Sequence, residues 1–319
     1  MKVRPWIYAT AVIAVAAMAL SACGGDNSKN GSGGLEKTNL KVGLLPIPDA
    51  ATIELAIQKG LFKAEGLNVT PLFLANGSET ISRVTSGNVD FSYSAYIPII
   101  QAADKRIPLR IVADGYQGRE KLYPIITLPS SSIREPKDLA GKKIGLINRK
   151  GFPSLLTQSA LKSVGLDPAK ATLVEIQYPQ MNQALENHSI DAAFMTEPYL
   201  SQAQQKLGVR KVLDTMSGPT ADLAVGGYVT SQRFAKQNPN TIAAFQRAVS
   251  KAQAIAGDRN QVSAILPTYV KGLSADVAKN INLGVYPVTL NKTRLQRVSD
   301  LMSQFGVISK PYDVQALLG

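Results

Sequence analysis

The sequence predicts an α/β protein of two lobes, each a mostly parallel sheet flanked by helices, followed by a C-terminal helical tail. Three observations predict it. The phrase KVGLLPIP at residues 41–48 returns as KIGLINRK at residues 143–150. Strand-like and helix-like stretches alternate through both copies, the pattern that builds parallel sheets covered on both faces. The chain has 319 residues, 45% of them hydrophobic, enough for two lobes with cores of their own.

The elements follow in chain order. Lys2 and Arg4 precede an apolar, Ala-rich run at residues 6–22 that ends in small residues, the pattern of a signal peptide over residues 1–22. Leu20-Ser21-Ala22-Cys23 resembles the bacterial lipobox, and Cys23 is the single cysteine of the chain. One cysteine makes no internal disulfide in an exported chain, so this thiol is read as a lipidation site. Residues 23–39 open with a Gly-, Ser- and Asn-rich stretch and read as a lipidated Cys followed by a flexible tether.

The folded body is expected from Leu40. Its first unit holds a strand from Lys41, a Pro-containing loop, an amphipathic helix and a closing Gly66-Leu67; the second repeats this from Lys143 to Gly165-Leu166. Gly66 and Gly165 read as helix C-caps. NVTPLFLA (68–75) and ATLVEIQ (171–177) read as strands from their Val, Thr, Ile and Leu content. TISRVTSGNVDFSYSAYIP (80–98) and MNQALENHSIDAAFMTEPYL (181–200) then match as helix, turn, Asp and strand, aligning Asp90 with Asp191 and Tyr93 with Phe194. Residues 108–130 read as two strands and residues 221–234 as one more, with the chain crossing between lobes near residues 116–123 and 221–228. Helices are expected in NPNTIAAFQRAVSKAQAIAGD, capped by Asn238 or Asn240, then in QVSAILPTYV, ADVAKNI and TRLQRVSDLMSQFGV. Lobe 1 is thus residues 40–121 with 223–319, and lobe 2 is residues 122–222.

Composition excludes several function classes. The formal net charge is +12, yet Lys and Arg are scattered singly or in pairs, which excludes nucleic acid as a partner. The single histidine, His188, lies in the polar turn NHS and reads as a surface residue. No Cys/His cluster of zinc-binding spacing, no G-x-S-x-G, no Walker A and no G-x-G-x-x-G occurs. No cofactor is expected, and the chain is not read as an enzyme. An adhesive or structural lipoprotein would have no use for the cleft that two repeated lobes create.

These phrases carry a resemblance. ATIELAIQKGLFKAEGLNVT, VTSGNVDFSYSA and FMTEPYL, in that order, resemble the solute-binding lipoproteins of ABC importers with a type II periplasmic-binding-protein fold. The branch resembled is the one binding nitrate, sulfonates, taurine and thiamine precursors. The resemblance implies a monomer held at the outer face of the cell membrane by its lipid, passing a small solute to an ABC permease and its ATPase. Sulfonate and taurine members carry Trp-Asp-Pro in the last loop, where this chain has Thr196-Glu197-Pro198 and its one Trp is Trp6. A yeast-type pyrimidine synthase of the same branch uses clustered cysteines and a histidine that are absent here. The alternative reading is nonetheless a lipid-anchored enzyme on this fold acting on a small nitrogen heterocycle.

Ligands of open α/β sheets bind beyond the carboxyl ends of the strands, where helices begin. In lobe 1 that rule selects Pro48 and Asp49, Asn76 and Ser78, Ser94 and Tyr96, with Tyr116 at a crossing. In lobe 2 it selects Asn148, Lys150 and Phe152, then Thr196, Glu197 and Tyr199. Asp49, Ser78 and Thr196 also suit helix N-caps, and Tyr96, Phe152 and Tyr199 suit either core or cleft. Asn148 and Lys150 show no local structural reason in the sequence and are favoured as ligand contacts. Glu197 either complements a helix dipole or accepts a hydrogen bond from a ligand nitrogen. Acidic Asp49 and Glu197 against basic Arg149 and Lys150 suggest a zwitterion or a polar heteroaromatic stacked on Tyr or Phe.

Overall fold

The computed structural model describes residues 34–74 and 77–318, so the signal-like run and Cys23 lie outside the described residues. The first unit runs β1 (Asn39–Leu44), α1 (Ala51–Gln58), α2 (Leu61–Ala64), β2 (Asn68–Phe73), α3 (Gly77–Thr85), β3 (Phe91–Ala95), α4 (Tyr96–Asp104) and β4 (Leu109–Gln117). The second runs β5 (Pro124–Thr127), β6 (Lys143–Leu146), α5 (Phe152–Ser163), β7 (Thr172–Glu175), α6 (Tyr178–Glu186), β8 (Ala192–Phe194), α7 (Tyr199–Leu207) and β9 (Arg210–Asp214). The chain closes with β10 (Ala224–Ser231) and α8 (Gln232–Gln237), then α9 (Pro239–Ala256), α10 (Arg259–Tyr269), α11 (Ala275–Asn280), α12 (Lys292–Gln304) and α13 (Gln315–Leu318).

Two five-stranded sheets result, ordered β2-β1-β3-β10-β4 and β7-β6-β8-β5-β9. The order is the same in both. In each, the strand before the last runs antiparallel to its neighbours, β10 against β3 and β4, and β5 against β8 and β9. That strand is supplied by the segment that has just arrived from the other sheet. The chain leaves the first sheet after Gln117, enters the second at Pro124, and returns between Asp214 and Ala224.

The repeated phrases are repeated hydrogen bonds. Asp90 Oδ2 accepts from Lys41 N at 2.9 Å, and Asp191 Oδ2 accepts from Lys143 N at 2.8 Å. Thr230 Oγ1 donates to the Asp90 carbonyl at 2.6 Å, as Thr127 Oγ1 does to the Asp191 carbonyl at 3.0 Å. A Cβ on Gly43 would meet Ser92 Oγ at 2.7 Å, and one on Gly145 would meet Ile190 Cδ1 at 2.6 Å, which is why both phrases carry glycine as their third residue. Gly66 and Gly165 end their helices at φ 76° and 79°. Behind them Leu67 N and Leu166 N reach back to the carbonyls of Phe62 and Leu161, the Schellman pattern.

Helix α9 lies over the first sheet. Phe245 stacks on Phe91 at 4.1 Å and on Phe62 at 5.5 Å, and its full burial is worth about 2–3 kcal/mol. Neither expected asparagine caps this helix. Asn238 occupies the N-cap position, but its side chain donates to Phe234 O instead. The cap is Glu36, whose carboxylate accepts from Asn240 N at 3.1 Å and Thr241 N at 2.9 Å. Burial works against that charge, but the Thr241 and Asn240 N–H groups outweigh it and hold the carboxyl at about 2. Ordered contacts therefore begin inside the stretch read as tether. Leu35 packs on the core, Lys37 pairs with Asp90 at 2.7 Å, and β1 starts at Asn39.

The tail helices return to the first lobe. Arg294 on α12 donates to Asp114 Oδ2 at 2.9 Å and to Gln117 Oε1 at 2.6 Å. Between α11 and α12 the chain lies against β4, where Gln117 and Val285 exchange both backbone hydrogen bonds at 2.9 Å. Among the described residues no helix is long and apolar enough to cross a membrane.

Candidate functional site

The carboxyl ends of β1 and β3 in the first lobe, and of β6 and β8 in the second, open into the loops selected from the sequence. The loop after β1 is the most constrained of them. Ile47 O accepts from Tyr269 OH at 3.1 Å and Pro48 O accepts from Tyr286 OH at 2.9 Å, while Tyr93 OH donates to Asp49 Oδ2. Three consecutive residues are thus each held by a tyrosine from a different part of the chain, namely α10, the segment after α11, and β3. Pro48 is buried, and Asp49 is 5% exposed.

Asp49 is the electrostatic centre of this region. Burial pushes its carboxyl up to about 7, against the hydrogen bonds from Tyr93 and its own amide. Its charge in turn acts on Tyr93, Tyr116, Tyr123 and Tyr178, and on Tyr228, Tyr269 and Tyr286, all held above their ordinary range mainly by burial. Tyr123 packs within the second lobe: its ring meets Phe152 of α5 edge-on at 5.3 Å and stacks on Phe194 of β8 at 5.9 Å.

Tyr116 is buried where the chain leaves the first sheet. Its hydroxyl accepts from Gly284 N, and its ring meets Tyr286 edge-on at 5.1 Å. The carboxylates of both Asp49 and Glu197 act on it. Glu197, 1% exposed, reaches out of the second lobe. Its Oε1 accepts from Asn282 N at 2.9 Å and from Asn282 Nδ2 at 3.0 Å, and its Oε2 accepts from Ser201 N at 3.1 Å. Both readings of this residue are therefore partly met by the protein itself. Ser201 lies in the first turn of α7, and the other nitrogen donors held by Glu197 come from the tail.

The other candidates divide. Phe152 and Tyr199 are half-buried at the starts of α5 and α7; Tyr199 stacks on Tyr178 at 4.9 Å. Thr196 is half-buried and contributes its carbonyl to Leu200 N at 2.9 Å. Tyr96 is fully buried and donates to Asp114 Oδ1 at 2.6 Å, so its hydroxyl is engaged within the first lobe. Ser94 is equally buried and accepts from Thr80 Oγ1 at 2.8 Å. Asn148 has the local reason the sequence did not show: its Oδ1 accepts from Lys150 N at 2.8 Å, an Asx turn. Asn148 and Lys150 are both exposed, and Lys150 O accepts from Gln101 Nε2 of the first lobe at 3.3 Å. Ser78 falls in the first turn of α3, and Asn76 lies outside the described residues.

The strand-end rule does not select Tyr93, Tyr123, Tyr178, Tyr269 or Tyr286 as site residues, nor Asn282. One signal was present: the chain has 11 Tyr against 8 Phe, and a tyrosine in a core needs a partner for its hydroxyl. His188 sits exposed in its turn at φ 56°. Among the described residues no group of three or more His, Cys, Asp or Glu side chains is placed to hold a metal ion. An open groove of about 600 Å³ lies at the opposite end of the first sheet, lined by Asp104, Arg106, Gln232 and Lys310 among others, away from these loops.

Two sheets of identical strand order, each completed by one antiparallel strand from the segment that crosses over from the other, define a periplasmic-binding-protein fold. The aliphatic sulphonate-binding protein SsuA of Escherichia coli superposes with a TM-score of 0.74 at 20% identity, covering 88% of this chain and 97% of that one. Residues 47–261 match the NMT1/THI5-like family, and the chain belongs to it. A Bacillus subtilis protein provisionally named an aliphatic sulfonates-binding protein is 26% identical over 93% of this chain and 90% of its own length. A 4-amino-5-hydroxymethyl-2-methylpyrimidine phosphate synthase of Saccharomyces cerevisiae, THI11, is 28% identical over 65% of this chain and 63% of its own length.

Proposed function

We propose that this protein is the substrate-binding component of an ABC import system. It captures a small polar organic solute between lobe 1 (40–121 with 223–319) and lobe 2 (122–222) and delivers it to a membrane permease. The observation that carries this reading is the pair of buried carboxylates, Asp49 from the first lobe and Glu197 from the second, both acting on Tyr116 where the chain crosses between sheets. A site built from both lobes gives a ligand more contacts in the closed form than in the open one, and so drives closure. The names of the Bacillus subtilis and Escherichia coli proteins support a binding role. Export rests on the signal-like residues 1–22, and anchoring on Cys23.

The yeast relative is named a synthase, which keeps a lipid-anchored enzyme as the competing reading. Against it, the chain supplies one cysteine, beside the signal-like run, and one histidine, on an exposed turn. Native mass spectrometry of protein purified from its own host separates the two. A bound solute released chemically unchanged after prolonged incubation supports import. A solute converted in stoichiometric or greater amounts supports the enzyme and overturns the binding role.

A further inference from the structure

Resting on that reading of the cleft, we propose that the ligand carries a net positive charge, as a protonated amine or a protonated nitrogen heterocycle, held against Asp49 with its body on tyrosine rings. The first ground is what surrounds the carboxylate. Asp49 is buried, and Tyr93 OH and its own amide are the polar groups that support its charge. No lysine or arginine is among them. The cation that acts on neighbouring Tyr116 is Arg119, which is exposed, and there it opposes two carboxylates.

The second ground is a set of unmatched polar atoms beside it. Thr52 in the first turn of α1 and Tyr228 on β10 are both fully buried. Their hydroxyls face each other without completing a hydrogen bond of good geometry. Glu54 Oε1, on the same helix, is also buried without a partner. A buried polar atom without a partner is costly; the Glu54 oxygen can only accept, and the two hydroxyls can accept from an N–H donor as well as donate. An ammonium supplies several N–H donors and neutralises Asp49, and the faces of tyrosine rings attract cations. A sulfonate or nitrate held against Asp49 would meet that carboxylate's charge with no lysine or arginine among the groups that support it.

The test uses the full-length protein in detergent and a small-molecule extract of its host's growth medium, split by ion exchange into cationic, neutral and anionic fractions. At about pH 8 the cationic fraction is expected to raise Tm by about 5 °C, the size that saturating ligand gives a chain of this length. Asp49→Asn is expected to need at least about tenfold more of that fraction for half the shift. Should Asp49→Asn fail to fold, the wild type at about pH 5, where Asp49 is protonated, is expected to lose the shift instead. A Tm rise with the anionic or neutral fraction alone overturns the inference and leaves solute binding standing. A cationic shift of unchanged size in Asp49→Asn, or in the wild type at about pH 5, also overturns it. No shift with any fraction overturns the solute-binding reading itself.

Discussion

Asp49→Asn tests the electrostatics of the cleft in the ligand-free protein. Burial raises the Asp49 carboxyl from an ordinary value of 3.8 to about 7, so folding holds a proton that the unfolded chain releases. The associated stability is complete below about pH 4 and is lost as the pH rises through about 7. A tenfold difference in proton affinity between the folded and unfolded chains is worth about 1.4 kcal/mol. Between about pH 5 and about pH 8 the folded group gives up its proton across roughly two such tenfold steps, so the wild type should lose about 2–3 kcal/mol from this group alone. An asparagine side chain has the same shape and does not titrate. Urea unfolding of both proteins at the two pH values gives the double difference, which removes every other titrating group common to both. The wild type should fall relative to the variant by that amount. Parallel pH profiles, or a wild type that gains relative to the variant at the higher pH, would refute the assignment of an uncompensated buried charge.

Four further outcomes rest on single residues. Asn282→Ala removes the side-chain donor that holds Glu197 Oε1 across the lobes and leaves the backbone donor in place; small-angle scattering of the ligand-free protein should show a larger radius of gyration, and an unchanged profile counts against an interlobe latch. Gly284→Ala drives a Cβ into Gln117 O and to 2.7 Å from Tyr116 Cζ; a backbone clash of this kind should cost about 1–3 kcal/mol in urea, and a variant as stable as wild type would contradict it. Glu36→Gln removes the charged cap of α9; because that carboxyl is held at about 2, its contribution is present above the ordinary Glu range and lost as pH falls towards about 2, so the variant should melt earlier at neutral pH and coincide with wild type in strong acid. Cys23→Ser should release the protein from the membrane fraction, and retention as firm as wild type would remove lipidation from the proposal.

The architecture was legible because its signals are local and occur twice. Lys41, Gly43 and Asp90 in one unit and Lys143, Gly145 and Asp191 in the other each serve one strand pairing, and a pairing repeated about a hundred residues later leaves the same letters. The glycines that end the first helical stretch of each unit were legible for the same reason, since a left-handed residue is needed there whatever lies around it. Asp49, Glu197, Phe152 and Tyr199 were selected by their place after strand ends, a place that the order of elements determines. The local reason for Asn148 was not legible, because an Asx turn to the Lys150 amide leaves no periodic pattern.

Partnerships across long separations came from the folded chain alone. Glu36 caps a helix some two hundred residues downstream, and Tyr269 and Tyr286 fasten a loop more than two hundred residues upstream. The Tyr96 hydroxyl is engaged by Asp114, and Glu197 is met by Asn282 from a tail whose sequence carries no sign of it. Propensity and periodicity act over a few residues, so the letters alone specify the elements, their order and the loops at the strand ends. Which hydroxyl reaches which carboxylate depends on the relative placement of two sheets and a tail. That placement is the outcome of summed packing over the whole chain, and no short stretch of sequence contains it.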